Sequence, residues 1–180
     1  MGSLVGSRVE RKEDKRFLTG KGRYTADINI TNQTYAVFVR SPHARAKIKK
    51  VNFSKASKAP GVVSILTGAD IVNDKIGGLI AGWKIVSEDG SDMKVPAHPP
   101  LASDTVNYVG DHVAVVIAES LDEAKAAANL VEVDYKVLQA VTSTADAMKS
   151  EKIYNDIDKN LCFDWLLGDR AKVKEAFEKA

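Results

Sequence analysis

The sequence predicts an α+β domain in which a mixed β-sheet carries flanking helices. Three observations predict it. Period-two strand patterns recur at irregular spacing, as in Tyr35–Arg40 and Val131–Tyr135. One strongly apolar run, Val113–Ala118, reads as a buried central strand. An alanine-rich stretch with a helix-start signature follows that run directly. The irregular order of strands and helices argues against a doubly wound sheet, and no internal repeat appears. A chain of 180 residues is long enough to bury one core of ordinary size.

Residues 1–27 combine seven Lys/Arg with six Gly/Ser and little periodicity, so they read as an arm or extended loop. Tyr35, Val37 and Val39 alternate with Ala36, Phe38 and Arg40, and Ser41-Pro42 closes that strand because proline cannot donate to a ladder. Ile48–Phe53 reads as a second strand with Lys49 and Lys50 facing water. Ser54 is placed to cap a short helix through Ala59, stopped by Pro60-Gly61. Gly61–Leu66 is β-branched and strand-like.

From Asn73 to Pro100 the pattern dissolves into Gly77-Gly78, Gly82, Asp89-Gly90 and Pro99-Pro100, a long irregular excursion of the functional or interface-forming kind. Ser120-Leu121-Asp122-Glu123 is a capping box, with the serine hydroxyl accepting from the Glu123 amide and the Glu123 carboxylate accepting from the Ser120 amide. The helix Glu123–Leu130 and the strand Val131–Tyr135 follow. Thr142 or Ser143 caps a short helix through Lys149. Asp169 caps an amphipathic segment with Val173, Ala176, Phe177 and Ala180 on one face.

The 26 Lys+Arg against 24 Asp+Glu leave a net charge of +2, too balanced for a dedicated nucleic-acid binder. The charge is unevenly spread. Residues 1–60 hold 14 Lys/Arg and 4 Asp/Glu, whereas residues 61–120 hold 3 and 8. Such asymmetry marks either an anion-binding or partner-binding surface or simply a solvated face. No apolar run approaches the roughly 20 residues that span a bilayer. The single Cys162 cannot form an internal disulfide, and the opening residues lack a signal-peptide pattern, so a cytoplasmic, reducing location is expected.

Candidate chemistry is sparse. His43, His98 and His112 match no zinc spacing. Gly20-Lys21-Gly22 starts like a phosphate loop, but Thr25 replaces the third glycine of the dinucleotide fingerprint and no helix pattern follows. Gly77–Gly82 has the composition of either an anion nest or a flexible loop. His43 reads as a turn histidine, His112 as a strand-entry residue and Cys162 as a small hydrophobe among Leu161, Phe163 and Trp165. Glu119, Asp122 and Glu123 complement a helix start. No catalytic, cofactor-binding or metal-binding residue is assigned.

Several stretches together resemble one family. Val9–Tyr24, with Glu13-Asp14-Lys15-Arg16-Phe17-Leu18-Thr19-Gly20-Lys21-Gly22-Arg23-Tyr24, resembles the opening of molybdenum hydroxylase large subunits. These are the aerobic carbon monoxide dehydrogenase, aldehyde oxidase and xanthine dehydrogenase family. Arg40-Ser41-Pro42-His43-Ala44, Pro60-Gly61-Val62 through Leu66-Thr67-Gly68-Ala69-Asp70, Tyr108-Val109-Gly110 through Ala114, and Val131–Tyr135 resemble its later motifs in the right order. Trp165–Phe177 is similar to the segment that follows. Ala26, Arg45, His112 and Lys136–Gln139 depart from the family pattern, all at turns or strand ends.

The resemblance implies an arm over 1–20, an α/β hammerhead domain over 21–145, and a linker over 146–180 leading toward a molybdopterin-binding domain. It implies that molybdopterin and molybdenum sit in that following domain, with two-iron two-sulfur clusters and FAD in partner subunits. The chain then reads as an N-terminal scaffold of an oxidoreductase, supplying architecture and subunit contacts without catalysis of its own. The alternative is a stand-alone binding module that kept the hammerhead fold and lost the enzyme. The residues that choose among carbon monoxide, aldehyde and heteroaromatic substrates lie outside this chain.

Overall fold

The computed structural model describes residues 5–180, so the first four residues of the expected arm lie outside it. The chain divides into two compact units, residues 1–33 and 34–180. In the first, residues expected to form an extended arm contain a short helix, α1 (Asp14–Leu18), and a 3-10 turn at Thr25–Asp27. Asp14 opens α1 and complements its dipole. The Thr19 hydroxyl donates to the Lys15 carbonyl at 2.7 Å and closes the helix. The Tyr24 amide donates to Asp27 Oδ2 at 2.8 Å, which fixes the turn. Local polar chemistry makes both, and it leaves no periodicity to read.

The second unit is α+β, as expected, but its strands form no mixed sheet. They form two three-stranded sheets in which every pairing is antiparallel. The first sheet has the order β1 (Tyr35–Arg40), β5 (His112–Ala118), β3 (Val62–Thr67). The second has the order β4 (Thr105–Val106), β2 (Ala46–Asn52), β6 (Glu132–Val137). Periodicity marks strands without marking their direction, which long connections such as 68–111 decide.

Strand β5 is central because Val113, Ala114, Val116 and Ala118 are all fully buried. Val113 packs with Ala46, Ala102 and Val106, against Ile48, Val51, Val133 and Tyr135 of the second sheet. Val116 packs with Ala56 and Ala127 beneath helix α3 (Leu121–Ala128). Val115 packs with Ile71 and Leu101. Burying each valine contributes roughly 1.5–3 kcal/mol.

Helix α3 starts where the capping signature places it, and the Glu123 amide donates to Ser120 Oγ at 3.2 Å. The return bond differs. The Glu123 carboxylate accepts the Ser120 hydroxyl at 2.7 Å rather than the Ser120 amide. The Ser54 expectation is replaced by a 3-10 turn at Ala56–Lys58. There the Ser54 amide donates to Asn52 Oδ1, and the Ser54 carbonyl accepts the Ser57 hydroxyl.

The excursion from residue 74 to 100 is irregular, as expected, apart from a tight hairpin across Asp89-Gly90 in which Val86 bridges Asp92. Helix α4 (Thr144–Ala147) is shorter than expected and begins after Ser143 with no side-chain cap. Helix α5 (Arg170–Glu178) is capped by Asp169, which accepts from the Lys172 amide. Its apolar face stays exposed at Val173 and Phe177.

Helix α2 (Gly68–Asn73) carries no periodic signal, yet it is tightly placed. The Thr67 amide and hydroxyl both donate to Asp70 Oδ2 at 2.7 Å. Gly68 lies so close to the chain that a Cβ would overlap the Ala102 carbonyl and Ser103 Cα. Gly68→Ala is therefore expected to lower stability by about 1–3 kcal/mol in urea unfolding, because backbone must shift to admit the methyl.

The Thr67 hydroxyl and then the Thr67 amide hold the Asp70 carboxyl below the usual aspartate range. Its folded-state value lies below its unfolded one, so its stabilisation is complete above the usual range and lost as pH falls from there through the lowered folded-state value. Asp70→Asn should cost about 1 kcal/mol at neutral pH. The gap between parent and variant thermal midpoints should close as pH drops below about 4.

Candidate functional site

The best-formed concave feature lies where two turns meet. Strand β1 ends at Arg40, and the Ser41 amide donates to the Asp111 carbonyl at 2.8 Å. The Gly110 amide donates back to the Ser41 carbonyl at 2.8 Å, and Arg40 Nη1 reaches the Gly110 carbonyl at 3.1 Å. Gly110 has a φ of 93°, in the left-handed region, which turns the chain sharply before β5. Ser41 and Asp111 are consequently buried, at 2% and 7% exposure.

The locked turn holds Asp111 beneath a cleft of about 290 Å³, with Asn107, Tyr108, Tyr154 and His98 among its walls. Asp111 Oδ2 accepts the Asn107 amide at 3.0 Å. Asn107 Nδ2 donates to Tyr154 Oη at 3.4 Å, while Asn107 Oδ1 is buried without a donor. His98 Nε2 and Tyr108 Oη are 3.2 Å apart. Burial first, and then the Asp111 charge, push the Tyr108 phenol above its usual range. Burial likewise raises the Tyr154 phenol. The arrangement offers a carboxylate, two phenols and an imidazole to a hydrogen-bond donor. The ring nitrogen of His98 faces the Tyr108 phenol within the cleft.

The residues weighed from sequence fall elsewhere or take structural parts. Gly20, at φ 68°, and Gly22 turn the chain so that Phe17 and Tyr24 stack at 5.8 Å, and a Cβ on Gly22 would press on Phe17. In Gly77–Gly82, the Leu79 amide is spent on the His98 carbonyl at 2.8 Å, so this stretch forms a cleft wall. The His43 amide donates to Ser41 Oγ at 3.0 Å, and its ring meets Tyr135 edge-on. His112 begins β5 and stacks on Phe38 at 4.3 Å. The Cys162 carbonyl accepts the Lys94 amide. Glu119 follows β5 and donates its amide to the Gly61 carbonyl. Asp122 and Glu123 occupy the first turn of α3.

Sequence reading missed the Asp111–Asn107–Tyr154 set. One local signal was present: an aspartate directly after a glycine turn and entering a buried strand needs a donor nearby. Tyr154 carried none, because a chain separation of 47 residues hides its contact with Asn107.

Among the described residues, no group of three or more His, Cys, Asp and Glu side chains is placed to hold a metal ion directly. No helix among the described residues is long and apolar enough to cross a membrane.

Residues 19–139 match the family model described as aldehyde oxidase and xanthine dehydrogenase, a/b hammerhead domain. The nicotine 6-hydroxylase large subunit of Paenarthrobacter nicotinovorans is 38% identical over 153 residues, covering 85% of this chain and 18% of that protein. The carbon monoxide dehydrogenase large chain of Afipia carboxidovorans is 33% identical over 192 residues, covering 98% and 22%. Among solved structures, the Cu,Mo-CO dehydrogenase in its carbon monoxide reduced state has a TM-score of 0.72 at 31% identity, covering 97% of this chain and 22% of that one. The chain thus spans about a fifth of the length of these relatives.

Asp111 is the element on which the cleft floor depends. Asp111→Ala leaves the Asn107 amide without its acceptor, and it is expected to cost about 1–3 kcal/mol by denaturant titration.

Proposed function

The chain belongs to the aldehyde oxidase and xanthine dehydrogenase family of molybdenum hydroxylases, through its a/b hammerhead domain, and we propose that it acts as the scaffold of such a large subunit. The observation that carries this reading is where the motif residues sit. Ser41 locks onto Gly110 and Asp111, Gly68 packs on Ala102, and Val133 and Tyr135 pack behind Val113. They are joints of one fold, and the side chains they present are spent on holding it.

On this reading residues 21–145 form the hammerhead, and residues 146–180 lead toward the portion of a large subunit that this chain does not span. Molybdopterin and its molybdenum belong to that portion, and two-iron two-sulfur clusters and FAD belong to companion subunits. Two relatives support such an assembly. One is subunit gamma of a 6-hydroxypseudooxynicotine dehydrogenase complex, and another is a putative xanthine dehydrogenase molybdenum-binding subunit. The oxidation chemistry is then that of the assembled enzyme, in the cytoplasm, and the chain contributes positioning.

Two measurements test this. The purified chain should carry no stoichiometric molybdenum by elemental analysis, and finding it would place the cofactor here. Co-expressed with the nicotine 6-hydroxylase large subunit lacking its own hammerhead segment, the chain should form a complex stable through gel filtration. No association at micromolar concentration would sink the scaffold reading.

A further inference from the structure

The outward face of the second sheet carries more positive charge than its own carboxylates can balance. Ala46, Ile48, Val51, Val133 and Tyr135 face the core, which sends Lys47, Asp134 and Lys136 outward, all exposed. The β2–β6 register shifts between Ile48 and Lys50, so the extra residue Lys49 and its neighbour Lys50 are both exposed. Four lysines thus share a face with two carboxylates, Asp134 and Glu132.

Both carboxylates are engaged. Lys49 Nζ lies 3.8 Å from Asp134. Lys55 Nζ lies 2.7 Å from Glu132, and Asn52 Nδ2 also donates to Glu132 at 3.4 Å. The bond with Lys55 lowers the Glu132 carboxyl and raises the Lys55 ammonium, as a formed pair requires. Lys47, Lys50 and Lys136 are left over, with no carboxylate among the described residues within ion-pair distance. Lys47 and Lys136 stand directly opposite each other in the register, a like-charge placement that destabilises a sheet when nothing lies above it.

We propose that this face of β2 and β6 docks an acidic surface of a protein partner, whose carboxylates pair with Lys47, Lys50 and Lys136. Lys47 and Lys136 stand side by side across the two strands and Lys50 lies three residues further along β2, so the three ammonium groups form one cluster that a group of carboxylates on a partner surface can neutralise. Nucleic acid fits less well. The face presents no aromatic ring for base stacking, since Tyr135 points to the core.

The test uses the whole chain and a fluorescent peptide of about ten residues alternating Glu and Thr. Anisotropy at low salt should show binding that weakens as salt rises. Lys47→Gln with Lys136→Gln should weaken it roughly tenfold. Lys12→Gln with Lys15→Gln, an equal charge change on the first unit, should alter it less than about twofold. The thermal midpoint of the Lys47/Lys136 variant should hold or rise, which separates lost contacts from lost folding. Equal losses in the two variants, or no binding by the parent, overturn the proposal. So does a single-stranded oligonucleotide that binds more tightly and loses affinity with the same substitutions. Aggregation of the variant with peptide affinity unchanged would instead assign the lysines to protecting the β6 edge, and that also overturns it.

Discussion

The constraint from which the rest of this structure follows is that β5 has no solvent face. Val113, Val115 and Val116 each enter a different hydrophobic cluster, so one seven-residue strand forms a wall of three cores. A strand buried on both sides must be covered on both sides. The second sheet and Leu101 with Ile71 cover it at some residues, and helix α3 covers it at others. Its neighbours β1 and β3 complete its hydrogen bonds, since an unpaired amide in that position would cost about as much as the valines contribute.

That wall explains why the two polar joints lie where they do. Both ends of β5 must leave the core without stranding backbone groups. At its start, Gly110 reverses the chain, the Ser41 amide donates to the Asp111 carbonyl, and the Gly110 amide donates back to the Ser41 carbonyl. At its end, the Glu119 amide is taken by the Gly61 carbonyl before Ser120 caps α3. The third joint, where Gly68 meets Ala102, brings α2 close enough for Ile71 to reach Leu101 and Val115. The cleft beside Tyr108 and Tyr154 is a by-product of the first joint, which is why it is polar at its floor.

The legible part of the sequence was whatever local periodicity or capping encodes. The strands β1, β3, β5 and β6, the alanine-rich α3 and the Asp169 cap of α5 are all of that kind. The two-residue β4 was illegible because Thr105-Val106 is too short to show a period and exists only by pairing with Ala46 and Lys47. Helix α2 was missed although Thr67 and Asp70 form a local capping signature, because six residues show no period and its seat is set by Ala102, 34 residues from Gly68 in the chain. The antiparallel character of both sheets was hidden for the same reason. Strand direction is decided by connections, and the connection from β3 to β5 runs through the irregular excursion. Of the cleft, Gly110 and Asp111 were visible as a turn entering a strand, whereas Tyr154 arrives from a segment with no periodic signal at all.

The near-neutral net charge of +2 conceals a division of labour between the two sides of one sheet. The inner side of β2 and β6 is apolar and closes the core behind Val113, so its residues are constrained by packing. The outer side is free of packing, and the shifted register at Lys49 adds a cation there without disturbing the inner pattern. A bulge that kept Ile48 and Val51 inward while turning two consecutive lysines outward serves the core no better than a regular strand with one lysine. Solubility alone would be met as well by alternating signs, which Lys49–Asp134 and Lys55–Glu132 already supply. The three unmatched lysines are therefore the part of this sheet that its own fold does not account for. In a chain whose other motif residues are consumed in holding the fold together, that face is where a neighbouring surface has the most to neutralise.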